Sequence, residues 1–291
     1  MNNYKVGLVY GISAYILWGA FLLYWPLLEP ATPLEIVAHR AVWTSVICII
    51  IVFKQKKFFQ LLKLTSNKKV LLKLFCASLL ISVNWLVFIW ATNNEHVVEA
   101  ALGYYINPLI IIAFGVLLLR EKMRKLQWIA VGFGFLGVLV LTFDYGRLPW
   151  IALALGFSWG TYGLIQKQLD LGAVEGLAIE TFISLIPYLT YLCFLETNGQ
   201  GHWGNQFGLS LLLTGAGIVT TIPLLLFNGS TTRLPFSTIG LLQYITPTLQ
   251  FSIGVWVRHE AMPAARWIGF VIIWGALAAL ATDLVRSAKA Q

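Results

Sequence analysis

Residues 105–129 read YINPLIIIAFGVLLLREKMRKLQWI, and residues 244–268 read YITPTLQFSIGVWVRHEAMPAARWI. Tyr105, Ile106, Pro108, Gly115, Val116, Glu121, Met123, Trp128 and Ile129 each recur 139 positions later, as Tyr244, Ile245, Pro247, Gly254, Val255, Glu260, Met262, Trp267 and Ile268. Phe88 and Leu102 match Phe227 and Leu241 at the same shift. Trp18-Gly19 matches Trp159-Gly160 at a shift of 141, and residues 33–40 resemble residues 173–180 at a shift of 140. A pattern held at one shift along both halves of a chain marks an internal duplication.

The duplicated unit is strongly apolar. The 291 residues are 58% hydrophobic, 14% aromatic and 11% charged, against about 45–50% apolar and about 25% charged in a soluble domain. Mean hydropathy is +0.78. A soluble globule and a disordered chain are both excluded. Ten runs are long enough to cross a bilayer as helices: roughly 6–26, 35–53, 70–92, 99–119, 126–143, 149–166, 175–195, 207–228, 236–257 and 264–284. They are continuous rather than alternating, which excludes a β-barrel. The first is too long for a cleaved signal peptide, and Pro26, Glu29, Pro30 and Pro33 follow it. Cys48, Cys76 and Cys193 lie inside apolar runs and read as small core residues.

Charge sets the expected orientation. The net charge is +8. Sixteen of the 20 basic residues fall on one side, chiefly in the loops at 54–69 and 120–125. Arg147, Arg258 and Arg266 fall on the other, and Arg40 falls inside a span. The positive-inside rule then puts both termini in the cytoplasm, and the basic excess is not a nucleic-acid surface. Five spans per half is an odd number, so the second half enters the membrane inverted. The expected fold is an all-α polytopic membrane protein of ten transmembrane helices, built as two inverted five-helix repeats, 1–146 and 147–291. Inverted repeats that exchange packings are a transporter design.

Several segments carry a family resemblance: Trp18-Gly19, Ala38-His39-Arg40-Ala41, the run from Asn84-Trp85 to Asn93-Asn94, Leu102-Gly103-Tyr104-Tyr105-Ile106-Asn107-Pro108, and the run from Gly240 to Phe251. With these the chain resembles the RarD group of EamA-type permeases in the drug/metabolite transporter superfamily. The resemblance implies an inner-membrane permease of a Gram-negative bacterium with a central cavity between the repeats.

Polar groups within the spans are the candidate transport residues, because hydrocarbon does not satisfy them. Arg40 either snorkels to the interface or offers a charged planar fork to a substrate anion; Glu180 is its counterpart in the second half. Asn84, mid-span, is either interhelical glue or part of a cavity wall with Trp85 and Asn93. Tyr104, Tyr105, Asn107, Gln243, Tyr244 and Gln250 are further candidate ligands, and the matched Trp18 and Trp159 join the cavity set. Pro108 and Pro247 predict paired kinks that free the carbonyls of Tyr104 and Gln243. Glu35, His39, Glu99 and Glu180 are the gating or proton-coupling candidates. The small residues of the fifth and tenth spans suit a scaffold or a dimer surface.

No phosphate-binding loop, metal-ligand spacing or nucleophile–base pair is legible, so no enzyme, metal or cofactor is expected. The expected partners are a small-molecule substrate and the lipid bilayer, with the chain a monomer or a homodimer. The expected function is a secondary transporter working by alternating access. The rival is a membrane interaction or accessory protein that transports nothing, which a sealed interior would favour. The aromatic content and Arg40 point to an amphipathic metabolite or aromatic organic anion.

Overall fold

The computed structural model describes residues 3–93, 97–145, 150–169, 171–257 and 264–289, and the regular structure among them is helical. The helices of the first half are α1 (Asn3–Ala20), α2 (Pro33–Lys54), α3 (Phe58–Thr65), α4 (Lys68–Asn93), α5 (Val97–Leu117) and α6 (Lys125–Tyr145). Those of the second are α7 (Trp150–Leu169), α8 (Ala173–Thr197), α9 (Phe207–Thr231), α10 (Phe236–Leu242), α11 (Ile245–Trp256) and α12 (Ala264–Lys289). The chain is thus an all-α polytopic membrane protein. α10 and α11 together make the ninth span, and α3 is a short helix in the basic loop, so the ten spans are retained. Four helices, Pro33–Lys54, Lys68–Phe88, Ala173–Thr197 and Phe207–Thr231, are individually long and apolar enough to cross a bilayer. Phe59, Phe143, Phe207 and Ile186 stand outward, as a lipid-facing surface allows and a soluble monomer rarely does.

Two elements depart from expectation. The first span stops being α-helical at Ala20, and 3-10 turns cover Phe21–Leu23 and Trp25–Leu28. Pro26 has no N–H to donate, and its ring would crowd the carbonyl of Leu22 in a continued helix. The two prolines also behave differently. α5 runs unbroken through Pro108, whereas the second half breaks at Gln243 and Tyr244, just before Pro247. Pro247 falls in the first turn of α11, where a missing donor costs nothing. The carbonyl of Gln243 is not left free, because the N–H of Thr246 donates to it (3.1 Å). The matched prolines thus occupy different settings, one inside a continuous helix and one in the first turn after a break.

The inversion is visible in the helix ends. α2 and α8 are repeat equivalents, and each begins at the same repeat position, with N-caps Thr32 and Gly172 and third-position Glu35 and Glu175. The start of each meets the loop after the other. Glu35 pairs with His202 beyond α8 (2.8 Å), and Glu175 pairs with Lys57 beyond α2 (2.8 Å). That arrangement requires the two helices to be antiparallel. α6 and α12, also equivalents, are antiparallel too, since Arg124 before α6 grips Asp283 near the end of α12 through three bonds of 2.9, 3.0 and 2.5 Å. Outside the spanning segments, the hydrogen bonds to Asp283 raise the Arg124 pKa above its ordinary value. α6 packs most extensively on α12, as expected of a scaffold pair.

Glycines set the closest approaches at equivalent places. A Cβ on Gly19 would lie 2.8 Å from Leu249 Cβ, and one on Gly160 would lie 2.9 Å from Ile110 Cγ2. Ile110 and Leu249 are themselves 139 residues apart. The same backbone contact, α1 on α11 and α7 on α5, is therefore made twice.

Candidate functional site

The halves meet at a ring of aromatic side chains. Trp18 and Trp159, the matched tryptophans, contact each other edge to face with centroids 5.2 Å apart. Phe227 packs on both, at 5.6 and 5.3 Å, and Tyr162 stacks on Phe227. On one side of this ring the bundle is filled: Tyr162, Phe227, Leu234, Phe236 and Ile239 are all buried. On the other side a cavity of about 190 Å³ extends toward the connection between α1 and α2. Its wall includes Trp18, Arg40, Asn84, Trp85, Tyr104, Asn107, Trp159, Gln243 and Gln250. Tyr104 and Gln243 are repeat equivalents, as are Asn107 and Thr246. Both halves thus contribute matched walls.

Arg40 is the one charged side chain among the described residues of this wall. Its side chain lines the cavity. Its guanidinium lies between two indoles, 4.7 Å from the Trp25 ring and 4.6 Å from the Trp85 ring. Nε donates to Thr220 Oγ1 at 2.9 Å. No carboxylate among the described residues pairs with it. Two ring faces this close attract the cation without neutralising it. Asn84 lines the cavity and also serves as glue: its Nδ2 donates to Leu155 O and Ser158 Oγ, both at 2.9 Å. Four polar atoms on the wall are buried without a hydrogen-bond partner: Tyr15 OH, Asn107 Oδ1, Trp159 Nε1 and Gln243 Oε1. Buried polar groups are rarely left so.

Glu180 lies elsewhere, on a smaller cavity with Thr220 and Trp85 on its wall as well. Gln166 Nε2 and Tyr162 OH donate to its carboxylate. Tyr162, Gln166 and Glu180 occupy the repeat positions of Phe21, Trp25 and Arg40. The cluster on the filled side is therefore the equivalent of the cluster at the cavity's outer end. Thr220 bonds Arg40 of the one cluster and lines the smaller cavity with Tyr162 and Glu180 of the other.

Other expectations need correction. Tyr105 is in the core rather than on the cavity wall. Tyr244 is fully buried, with its hydroxyl directed at the backbone of Gly134 in α6. Both tyrosines lie one residue from a wall residue, Tyr104 or Gln243, and one residue turns a helical side chain by about 100°. Glu35 and His39 are buried away from the cavity: Glu35 in its clasp with His202, and His39 beneath Trp203, whose ring centroid lies 6.5 Å away. Cys193 is exposed and not core; it lies on the outward face of α8. The side chains of Asn93 and Glu99 lie outside the described residues, as do residues 258–263. Sequence reasoning missed Tyr15, Phe21, Trp25, Thr220 and Thr246. Trp25 falls within the expected first span, where nothing in its apolar neighbourhood marked it, although the 141-residue shift links it to Gln166.

A model of the EamA-like transporter family matches twice, over residues 5–143 and 148–282. The chain is 47% identical to "Protein RarD" of Streptomyces exfoliatus, over 99% of this chain and 92% of that one. It is 42% identical to "Uncharacterized transporter YojE" of Bacillus subtilis, over 94% and 92%. A protein of known crystal structure superimposes with a TM-score of 0.73, covering 96% of this chain and 99% of its own at 18% identity.

Proposed function

The chain belongs to the EamA-like transporter family, and on that premise we propose that it is a secondary transporter carrying a small organic metabolite or drug-like molecule across the bacterial cytoplasmic membrane by alternating access. It is a multi-pass membrane permease of the drug/metabolite transporter superfamily. The observation that carries the reading is a cavity walled by residues of both halves, with buried side chains packed beyond the Trp18–Trp159 contact. A non-transporting bundle has no use for such a space. The two separate family matches support the division into 1–146 and 147–291. The basic loops support cytoplasmic termini, and with that orientation the cavity faces outward.

Exchange of packings between the halves supplies the motion. In one state the Phe21–Trp25–Arg40 cluster bounds the cavity and the Tyr162–Gln166–Glu180 cluster is packed shut. In the other the roles reverse, and Glu180 comes to stand at the inner mouth as Arg40 now stands at the outer one. Glu180 is then the group placed to take up or release a proton as that mouth opens and closes. Thr220, in reach of both clusters, is the side chain that links them. Glu35, His39 and Glu99 are secondary gating candidates.

Reciprocal accessibility tests this. In a cysteine-free protein, Trp25→Cys and Gln166→Cys are labelled with a membrane-impermeant thiol reagent from the outside and the inside. Conditions that raise labelling at one position should lower it at the other. Labelling of Gln166→Cys that never changes while Trp25→Cys stays fully reactive would mean a static cavity and no transport cycle.

A further inference from the structure

The cavity is chemically lopsided. Its described wall holds one permanent cation, Arg40, and no aspartate or glutamate. In most proteins a guanidinium taken out of water is balanced by a carboxylate, because an uncompensated charge in a low-dielectric setting is costly. Here the charge is held instead by two indole faces, Trp25 and Trp85, and by the hydroxyl of Thr220. Aromatic faces attract a cation without neutralising it. Among the described residues the group's hydrogen bond leaves through Nε, and neither Nη group has an acceptor there. These two nitrogens form the edge that grips a carboxylate in a bidentate pair.

The rest of the wall narrows the ligand further. Trp18, Phe21, Phe88, Tyr104 and Trp159 supply aromatic surface. The remaining polar contributors described are neutral, and four of them, Tyr15, Asn107, Trp159 and Gln243, carry buried atoms still lacking a partner. An amide oxygen or an indole N–H can bond a hydroxyl or a carbonyl, but it does not balance an ammonium. The free space, about 190 Å³, is below the roughly 300–1,000 Å³ of sites for drug-sized molecules. A single ring with a short acidic arm is of that scale.

We propose that the ligand of this cavity is a small aromatic or cyclic organic acid, bound as a monoanion with its carboxylate on the Nη edge of Arg40 and carrying no free ammonium group. The proposal names the substrate class of the transport reading above and rests on it for its physiological sense, but the binding preference is separable from it. The described wall therefore discriminates by charge type: it favours an acid over its neutral analogue by the Arg40 contact, and it disfavours an amine or an amino acid by desolvating an ammonium with no counterion among the described residues.

The test uses the full-length protein in nanodiscs, with the fluorescence of the cavity tryptophans as the readout. Benzoate and phenylacetate are titrated beside benzyl alcohol, benzylamine and L-phenylalanine. Saturable binding of at least one acid is expected, tighter than the alcohol, the amine and the amino acid by roughly tenfold or more, the equivalent of about 1.4 kcal/mol. Benzylamine or L-phenylalanine binding as tightly as the acids overturns the proposal, and so does an absence of acid binding. This comparison needs no variant. As a second arm, Arg40→Gln should abolish the preference for acid over alcohol, while the thermal midpoint reports whether the variant is folded. A folded Arg40→Gln protein that keeps the preference also overturns the proposal. Counterflow of labelled benzoate in proteoliposomes separates the two readings. Binding with the expected preference but no counterflow sinks transport and leaves the ligand class standing. Counterflow of amines or amino acids in preference to acids does the reverse.

Discussion

The twin clasps at the starts of α2 and α8 should differ in strength, and by a predictable amount. Glu35 is fully buried and accepts three hydrogen bonds, from His202 Nδ1 at 2.8 Å, from the His202 backbone N–H at 2.7 Å and from the Thr32 N–H at 3.4 Å. His202→Ala removes the first and leaves the other two. A hydrogen bond to a charged group contributes about 1.5–3 kcal/mol, so a loss of about 2 kcal/mol is expected. At roughly 2–4 °C per kcal/mol for chains approaching this size, the thermal midpoint should fall by about 4–8 °C. The equivalent clasp is a single ion pair between Glu175 and a half-exposed Lys57. Exposed lysine pairs contribute about 0.2–1 kcal/mol, so Lys57→Ala should shift the midpoint by no more than about 4 °C. The assay is thermal unfolding of the purified protein in nanodiscs, run as a double-mutant cycle with His202→Ala and Glu35→Gln. A coupling below about 0.5 kcal/mol, or a Lys57→Ala shift as large as that of His202→Ala, would refute the reasoning from burial.

Further expectations concern packing and the site. Gly19→Ala and Gly160→Ala each push a methyl into a neighbouring helix; each should cost about 1–3 kcal/mol, seen as similar midpoint losses because the two contacts are equivalent. Glu121 accepts from the N–H groups of Phe236 and Ser237 and from the Ser237 hydroxyl at 2.6–2.8 Å, so Glu121→Ala should lower the midpoint by several degrees. Glu121→Gln, which keeps an acceptor, should lower it less. Asn84→Leu removes two interhelical bonds and should cost about 0.6–1.7 kcal/mol; a larger loss would mean that the cavity wall had collapsed. Arg40→Lys keeps the charge but loses the planar stack on Trp25 and Trp85, each contact contributing about 0.5–2 kcal/mol. It should weaken acid binding in the fluorescence titration by roughly tenfold while leaving the acid-over-amine order intact.

Much of the frame was legible because hydrocarbon imposes its demands segment by segment. Each crossing must be a long apolar helix with its own backbone bonds satisfied, so the ten spans and the basic loop around 120–125 can be read without any tertiary contact. The repeated Tyr-Ile-x-Pro motif already pointed to two like units. Arg40 and Glu180 stood out for the same reason, as charges where few are tolerated. The error over Tyr105 and Tyr244 has a matching cause. In a helix apolar on nearly every side, polarity does not tell which face turns inward, so neighbours such as Tyr104 and Tyr105 look alike in sequence. The break before Pro247 and the unbroken passage through Pro108 were equally hidden, since the motif around each proline is almost the same.

By itself, then, the sequence determined the helical class, the spans and the duplication, because those follow from local hydrophobicity and from residues repeated at a fixed shift. Only the tertiary structure decided the partners. It set Arg40 between Trp25 and Trp85 with Thr220 behind it, closed Tyr162 and Gln166 around Glu180, and joined Glu35 to His202 across 167 positions of chain. Those meetings depend on helix rotation and on glycine-sized gaps between helices. Both are settled by how whole surfaces fit together and not by the composition of any one span.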